Sequence, residues 1–398
     1  MRRALLIAAL FALVAGGGAP AKPFYSLLGI VDVGTSAQLV ALDPETLDPV
    51  AGGPSIVLGK RGGMGVVAHD GSQLVYASDG RLRFFNPASF ERTGEVSRLS
   101  ADFVAWVDPV GIAWITPEVV AVLSKVGTDG LQVVKVDAFA HAVSSRRSVA
   151  GVVLAAQSVP GAYVALLGHD GKVAPLRLLV VTAESVRVVR LLDRIRGGMA
   201  FKQGNPPVGT VRMPALAVAD GTAYVADPSG TVVEVPLATL EPAYRVLHGR
   251  FAKIISGTTR QAVSLGDGLL AITGSQLSAS GTRPAGLELV DTRGWTSRPL
   301  AAGASAAWSY RGGLLATGGT WDAKAQKSTG MGLAALERSG EARFRLFDGQ
   351  SAWVQRIVGS RAYVVVNGQQ GLAVVDLVTG RVVGRRTAQL PSLVLEQT

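Results

Sequence analysis

Eight times along the chain the same short hairpin recurs: an alternating apolar strand, a turn, then a second strand. The clearest copy is Gly371-Leu372-Ala373-Val374-Val375-Asp376-Leu377-Val378-Thr379-Gly380-Arg381-Val382-Val383. The others run Leu39 to Val50, Arg81 to Val96, Leu131 to Val149, Pro175 to Arg190, Thr231 to Val246, Gly286 to Leu300 and Gly332 to Phe347. A single small sheet cannot bury both of its faces, so repetition at this scale demands stacking of copies on one another. No sustained 3.6-residue apolar period occurs past the first residues, so helix is expected to be scarce.

The residues that close the third strand of each unit set the spacing: Asp43, Asn86, Asp137, Asp291, Glu337 and Asp376. They imply about 48 residues per unit, slightly above the 40–45 of the commonest four-stranded propeller blades. The stretch Pro214 to Leu247 divides most plainly. Pro214 to Val218 is a first strand, and Ala219-Asp220-Gly221 is a turn. Thr222 to Ala226 is the second strand, Asp227-Pro228-Ser229-Gly230 another turn, and Thr231 to Val235 and Tyr244 to Leu247 the last two strands. Val66 to Phe85 repeats this plan, with turns at His69-Asp70-Gly71 and Ser78-Asp79-Gly80.

The two ends match. Pro391-Ser392-Leu393-Val394-Leu395 has the spacing of Pro214-Ala215-Leu216-Ala217-Val218, a first strand with nothing after it. The segment Tyr25 to Leu58 supplies later strands and lacks a first one. The expectation is an all-β, single β-propeller of eight four-stranded blades, with a C-terminal strand closing the ring beside the N-terminal unit. Closure of this kind removes open edges. One merged unit around Val152 to Arg196 gives seven blades as the alternative.

The run Val374 to Val383, and more weakly Leu39 to Leu47, resembles the repeat of the YVTN and PQQ-like group of exported bacterial β-propellers, a WD40-like architecture. The resemblance implies the fold and leaves function open, since such propellers serve as enzymes, assembly factors and binding scaffolds. Quinone-cofactor enzymes of the wider group carry a vicinal cysteine pair near the cofactor. This chain has no cysteine at all, so no cofactor is expected, and disulfides, thiolate catalysis and Cys-ligated metals are excluded.

Residues 1–21 read as a signal peptide. Arg2 and Arg3 precede a short apolar run, Ala4 to Ala15, and Ala19-Pro20-Ala21 offers a small-residue cleavage site. The run is too short for a bilayer core of roughly 30 Å, and no second membrane-spanning segment follows. Residues 22–398 then form the propeller of an exported protein, periplasmic, cell-wall associated or extracellular. Lys and Arg number 39 against 29 Asp and Glu, a formal charge of +10. That excess favours acidic partners in the cell envelope. Nucleic acid is not expected, because no binding motif is present, and the chain is expected to act as a monomer.

Catalytic residues are sparse. The expected channel-lining first strands are Val66 to Ala68, Phe103 to Val107, Val152 to Gln157, Ala215 to Ala219, Ala262 to Leu265, Ala306 to Tyr310, Trp353 to Ile357 and Ser392 to Glu396, and only Glu396 is acidic. Metal binding and paired-carboxylate hydrolysis need more oxygen ligands than that. His69-Asp70-Gly71 and His169-Asp170-Gly171 read as hairpin turns. Trp106, Trp308 and Trp353 read as packing residues between sheets. The informative segments are three long insertions expected on one face: Asp193 to Met213, Gly274 to Ala285 and Gly318 to Gly330. They carry Arg194, Arg196, Lys202, Arg212, Arg283, Trp321, Lys324 and Lys327, the candidate basic binding face. The preferred reading is a non-enzymatic scaffold that recognises a protein or an anionic envelope polymer. The alternative is a propeller enzyme, lactonase-like or a degenerate quinoprotein-like oxidoreductase, with its site at the channel mouth.

Overall fold

A computed structural model describes residues 27–100, 111–202, 208–247, 258–278, 280–366, 372–386 and 393–396. The signal segment 1–21 lies outside the described residues. Every regular element among the described residues is a β-strand, and no helix there is long and apolar enough to cross a membrane.

Strand pairing groups the chain into small antiparallel units. Among the described residues five four-stranded sheets stand alone. The sixth, larger sheet contains three further four-stranded runs joined by hairpins: 152–190, 258–301 and 306–346. The stretch 152–190 is thus a complete four-strand run. Seven of the eight hairpins read from the sequence form third and fourth strands. One needs correction: the partner of Ser36–Leu42 is Ser55–Lys60, and Pro49 meets Leu42 only in an isolated bridge. The chain leaves the ladder there because Leu47 turns inward, at φ 59°, to pack with Tyr363 and Val374. A second correction concerns Phe103 to Val107, which lies outside the described residues. The first strand paired with Val119–Lys125 is Ile112–Thr116.

Local chemistry explains the hairpins. Asp220 and Gly221 have φ of 49° and 69°, the two positive values a tight primed turn requires. They set Ala219 opposite Thr222 and Ala215 opposite Ala226. The turns after the third strands share another device. Asp43 Oδ1 accepts the backbone N–H groups of Glu45 and Thr46, both at 2.8 Å. Asn86, Asp137 and Asp376 each accept the same pair of N–H groups, two and three residues on. The periodic acidic position in the sequence is therefore a turn former. Asp291 accepts one such bond, from Arg293 N.

Alternating side chains send successive residues of one strand into different cores. Tyr224 packs with Ile272 of the following unit, whereas Val225 packs with Leu166 of the preceding one. Eight apolar clusters arise this way among the described residues. In chain order they join Leu39 to Tyr76, Phe84 to Trp114, Leu123 to Leu167, Leu166 to Val225, Tyr224 to Ile272, Leu287 to Leu314 and Leu333 to Val364. The eighth joins Val40 of the first unit to Tyr363 and Val374 of the last. Each fully buried Leu or Val contributes about 1.5–3 kcal/mol, so these inter-sheet layers dominate the stability. Across the eighth layer, Tyr363 Oη and Arg361 Nη1 donate to the Pro44 carbonyl at 3.1 and 3.0 Å.

The C-terminal strand Leu393–Glu396 pairs antiparallel with Leu27–Val33, Leu27 opposite Glu396 and Ile30 opposite Leu393. Most first strands touch those of the neighbouring units, and side chains tie some of them. Gln157 donates to Val218 O and accepts from Val218 N, and Gln261 accepts from Ala307 N. Fourth strands have a ladder partner on one side only and form the outer edges of the units.

Candidate functional site

All three insertions fold as β-hairpins. Arg196–Lys202 pairs with Val208–Met213. Its base is fixed on one side by Ala174 and Pro175, and on the other by a parallel pairing of Arg212 and Met213 with Thr258 and Thr259. Leu269–Ser278 runs past its sheet, and Gly281–Pro284 folds back on it. Gly313–Asp322 and Lys327–Leu336 make the longest hairpin. The second and third hairpins also pair with each other, Gly281 opposite Asp322 and Thr282 opposite Trp321. At Gly281, with φ 132°, an added Cβ would overlap the Trp321 carbonyl oxygen, so only glycine permits this close approach. The insertions thereby join one hydrogen-bonded sheet.

The basic side chains on these hairpins differ in availability. Arg194 is exposed, with its guanidinium 5.7 Å from the ring centre of Tyr244. Arg196 donates to Val173 O at 3.1 Å. Lys202 pairs through its backbone with Val208 at the far end of the first hairpin. Arg283, Trp321, Lys324 and Lys327 are exposed on the second and third. Arg212 turns inward to the carboxylate of Asp227, at 2.7 Å.

That inward pair belongs to a buried polar group which the sequence did not reveal. Asp227, Arg260 and Glu288 line a cavity of about 10 Å³, roughly the room for one water. Burial pulls the Arg260 guanidinium below its ordinary value, and Glu288 and Asp227 oppose that shift. Asp227 reads in sequence as one residue of an Asp-Pro-Ser-Gly turn; nothing local marks it as an ion partner for a residue fifteen positions earlier.

The aromatic residues also rearrange the sequence picture. Trp308 and Trp353 lie on the first strands Ala306–Tyr310 and Ala352–Val358 and meet edge to face, ring centres 5.1 Å apart. Trp353 is 54% exposed and Trp308 half-buried, so Trp353 is not a packing residue between sheets. Among the described tryptophans the buried one is Trp114, whose Nε1 donates to Val66 O at 3.1 Å. Trp106 lies outside the described residues.

His69 Nε2 lies 3.0 Å from the carbonyl oxygen of Trp114 and 3.4 Å from Ser158 Oγ. A carbonyl accepts only, so a hydrogen bond to it requires the tautomer with the proton on Nε2, in which that nitrogen takes none from Ser158. The residues beside it, mostly apolar, line a cavity of about 270 Å³. His169 Nδ1 bonds Asp129 Oδ2 at 2.6 Å. Burial raises the Asp129 carboxyl, but hydrogen bonds from His169 and Asp170 N outweigh it and hold the group below its usual range. His141 packs on Phe84, with ring centres 5.1 Å apart, and His248 lies outside the described residues. Among the described residues no group of three or more His, Asp or Glu side chains is placed to hold a metal ion.

No protein-family model matches this chain, and no curated protein is similar to it in sequence. Solved structures are similar in shape. Dihydro-heme d1 dehydrogenase NirN, in complex with DHE, superposes with a TM-score of 0.56 at 14% identity, over 93% of this chain and 74% of that one. Apo AztD from Citrobacter koseri gives a TM-score of 0.50 at 11% identity, over 93% of this chain and 96% of that one. Together with the repeated four-stranded sheets, these likenesses define an all-β propeller protein. At such identities they speak to the fold alone.

Proposed function

We propose that this chain is an exported, non-enzymatic β-propeller scaffold that captures a partner on the face built by its three hairpins. Eight blades in a closed ring form the body. The cyclic order of the eight apolar clusters and the pairing of Leu393–Glu396 with Leu27–Val33 support that count and that closure. Export rests on the pattern of residues 1–21, which leaves 22–398 as one domain.

The observation that carries the reading is the pairing of Gly281 and Thr282 with Asp322 and Trp321. It joins the second and third insertions into one ordered surface, the first being tied in at its base by the pairing of Arg212 and Met213 with Thr258 and Thr259, and a preorganised surface loses little entropy when it binds. Exposed Trp321 and Arg283 are residue types that dominate binding hot spots. Of the two partner classes, a protein and an anionic envelope polymer, this aromatic and arginine content supports the protein.

The test is charge reversal of Arg194, Arg196, Lys324 and Lys327 to Glu, with capture from an envelope extract and identification of the retained species. The expected result is a defined protein held by the parent chain and lost by the variant. Equal retention by both would overturn the reading.

A further inference from the structure

The positive charge of the chain is concentrated away from the hairpins, on the outer edges of the sheets. The fourth strands are Ser55–Lys60, Glu91–Val96, Ala142–Ala150, Val186–Arg190, Ala243–Val246, Thr296–Ala301, Ala342–Leu346 and Arg381–Arg386. Together they hold thirteen Lys and Arg residues, at least one on every strand, against only Glu91 and Glu95. That excess is as large as the formal charge of the whole chain, +10. Twelve of the thirteen are arginine.

Cations on an edge strand, Lys especially, discourage edge-to-edge pairing, and four of these strands carry one each. Four of the eight strands carry two or three cations instead. Some are engaged, such as Arg190 with Asp193 and Arg343 with Glu337. Arg187, Arg345, Arg381 and Arg385 are exposed and form no ion pair among the described residues.

We infer that this outer wall is a binding belt for a flexible, linear polyanion with phosphate in its backbone. Single exposed ion pairs contribute little, so useful affinity requires many contacts at once and the release of condensed counterions. Polymers of high linear charge density supply both. The planar guanidinium fork matches phosphate oxygens in pairs, which accounts for arginine in place of lysine. The belt follows successive units around the wall. A flat bilayer meets one arc of such a wall, and a duplex with a persistence length of about 50 nm cannot bend round it cheaply. A flexible chain can follow it. The inference is independent of the hairpin face, which lies elsewhere on the units.

The experiment is fluorescence anisotropy with end-labelled inorganic polyphosphate, repeated across a salt series, on the chain from residue 22 onward. The expected result is binding whose log K falls linearly with log salt. Replacing Arg187, Arg345, Arg381 and Arg385 by Gln should make that slope shallower by about 3, from roughly 0.7 per lost contact on a single strand. A second variant, R283Q/K324Q/K327Q, should keep the slope and lose the protein partner. An unchanged slope in the first variant would overturn the belt, as would loss of polyphosphate by the second. Equal affinity for duplex DNA or for anionic lipid vesicles would overturn the choice of a flexible polymer. All these substitutions are at exposed positions, and unchanged thermal melts establish that the fold is intact.

Discussion

Arg212 Nη2 donates to both carboxylate oxygens of Asp227, at 2.9 and 2.7 Å, and the Asp227 side chain is 0% exposed. The same carboxylate accepts the backbone N–H of Ser229 at 2.9 Å and the Ser229 hydroxyl. One buried anion thus fixes the turn at 227–230 and latches the second strand of the first hairpin to the four-stranded sheet of residues 215–246. Removing one member of a buried pair leaves the other charged without compensation. We predict that Asp227→Ala lowers stability by about 3 kcal/mol in a denaturant melt, the lower end of the usual cost because Arg212 keeps some solvent contact. A loss under about 1 kcal/mol, the range of a surface pair, would show that the pair does not hold the hairpin.

The turn-forming aspartates give the fold an acid limit. The N–H of Thr46, and after it that of Glu45, holds the Asp43 carboxyl below its usual range despite some burial. Thr379 N–H, then Val378 N–H, does the same for Asp376. A carboxyl depressed in the folded state stabilises above its unfolded pKa, and that contribution disappears as pH falls through the folded value. Stability should therefore drop below about pH 4. In the double variant D43N/D376N the amides can accept the same N–H bonds, as Asn86 already does. The variant should match the parent near pH 7 and lose less on acidification. Parallel acid profiles for the two proteins would count against the turn carboxylates as a source of the limit.

Two tryptophans should respond in opposite ways to truncation. Trp114 is 1% exposed and fills the layer between the second and third units. Trp114→Ala should cost about 3–5 kcal/mol. Trp353 lies largely in solvent and has one edge-to-face contact, with Trp308, worth about 0.5–1.5 kcal/mol. Trp353→Ala should leave the melt nearly unchanged, which makes it a clean probe of partner binding. A large destabilisation by Trp353→Ala would return that residue to the core.

Deletion of residues 391–398 removes the strand that covers the edge of Leu27–Val33. The N–H and C=O groups freed there form a template for pairing with another molecule. The truncated chain should melt at lower temperature and self-associate in a concentration-dependent way, as read by light scattering. A truncated chain that stays monomeric with the parent's melting temperature would show the terminal pairing to be dispensable.

By itself the sequence determined the local plan. Apolar alternation placed the strands, and Asp-Gly pairs and the periodic Asp or Asn placed the turns, because these signals act over a few residues. It also marked the three insertions as the place to look for a site, since chain length between strands is read directly. What only the tertiary structure decided depends on residues far apart. Arg212 reads as one more surface cation until the fold carries Asp227 beneath it. Trp353 reads as core until its strand is seen to leave it in solvent. The pairing of Thr282 with Trp321 joins two hairpins that no local pattern connects. The positive outer edge emerges only when the fourth strands are sorted together, because charge adds up in space and not along the chain.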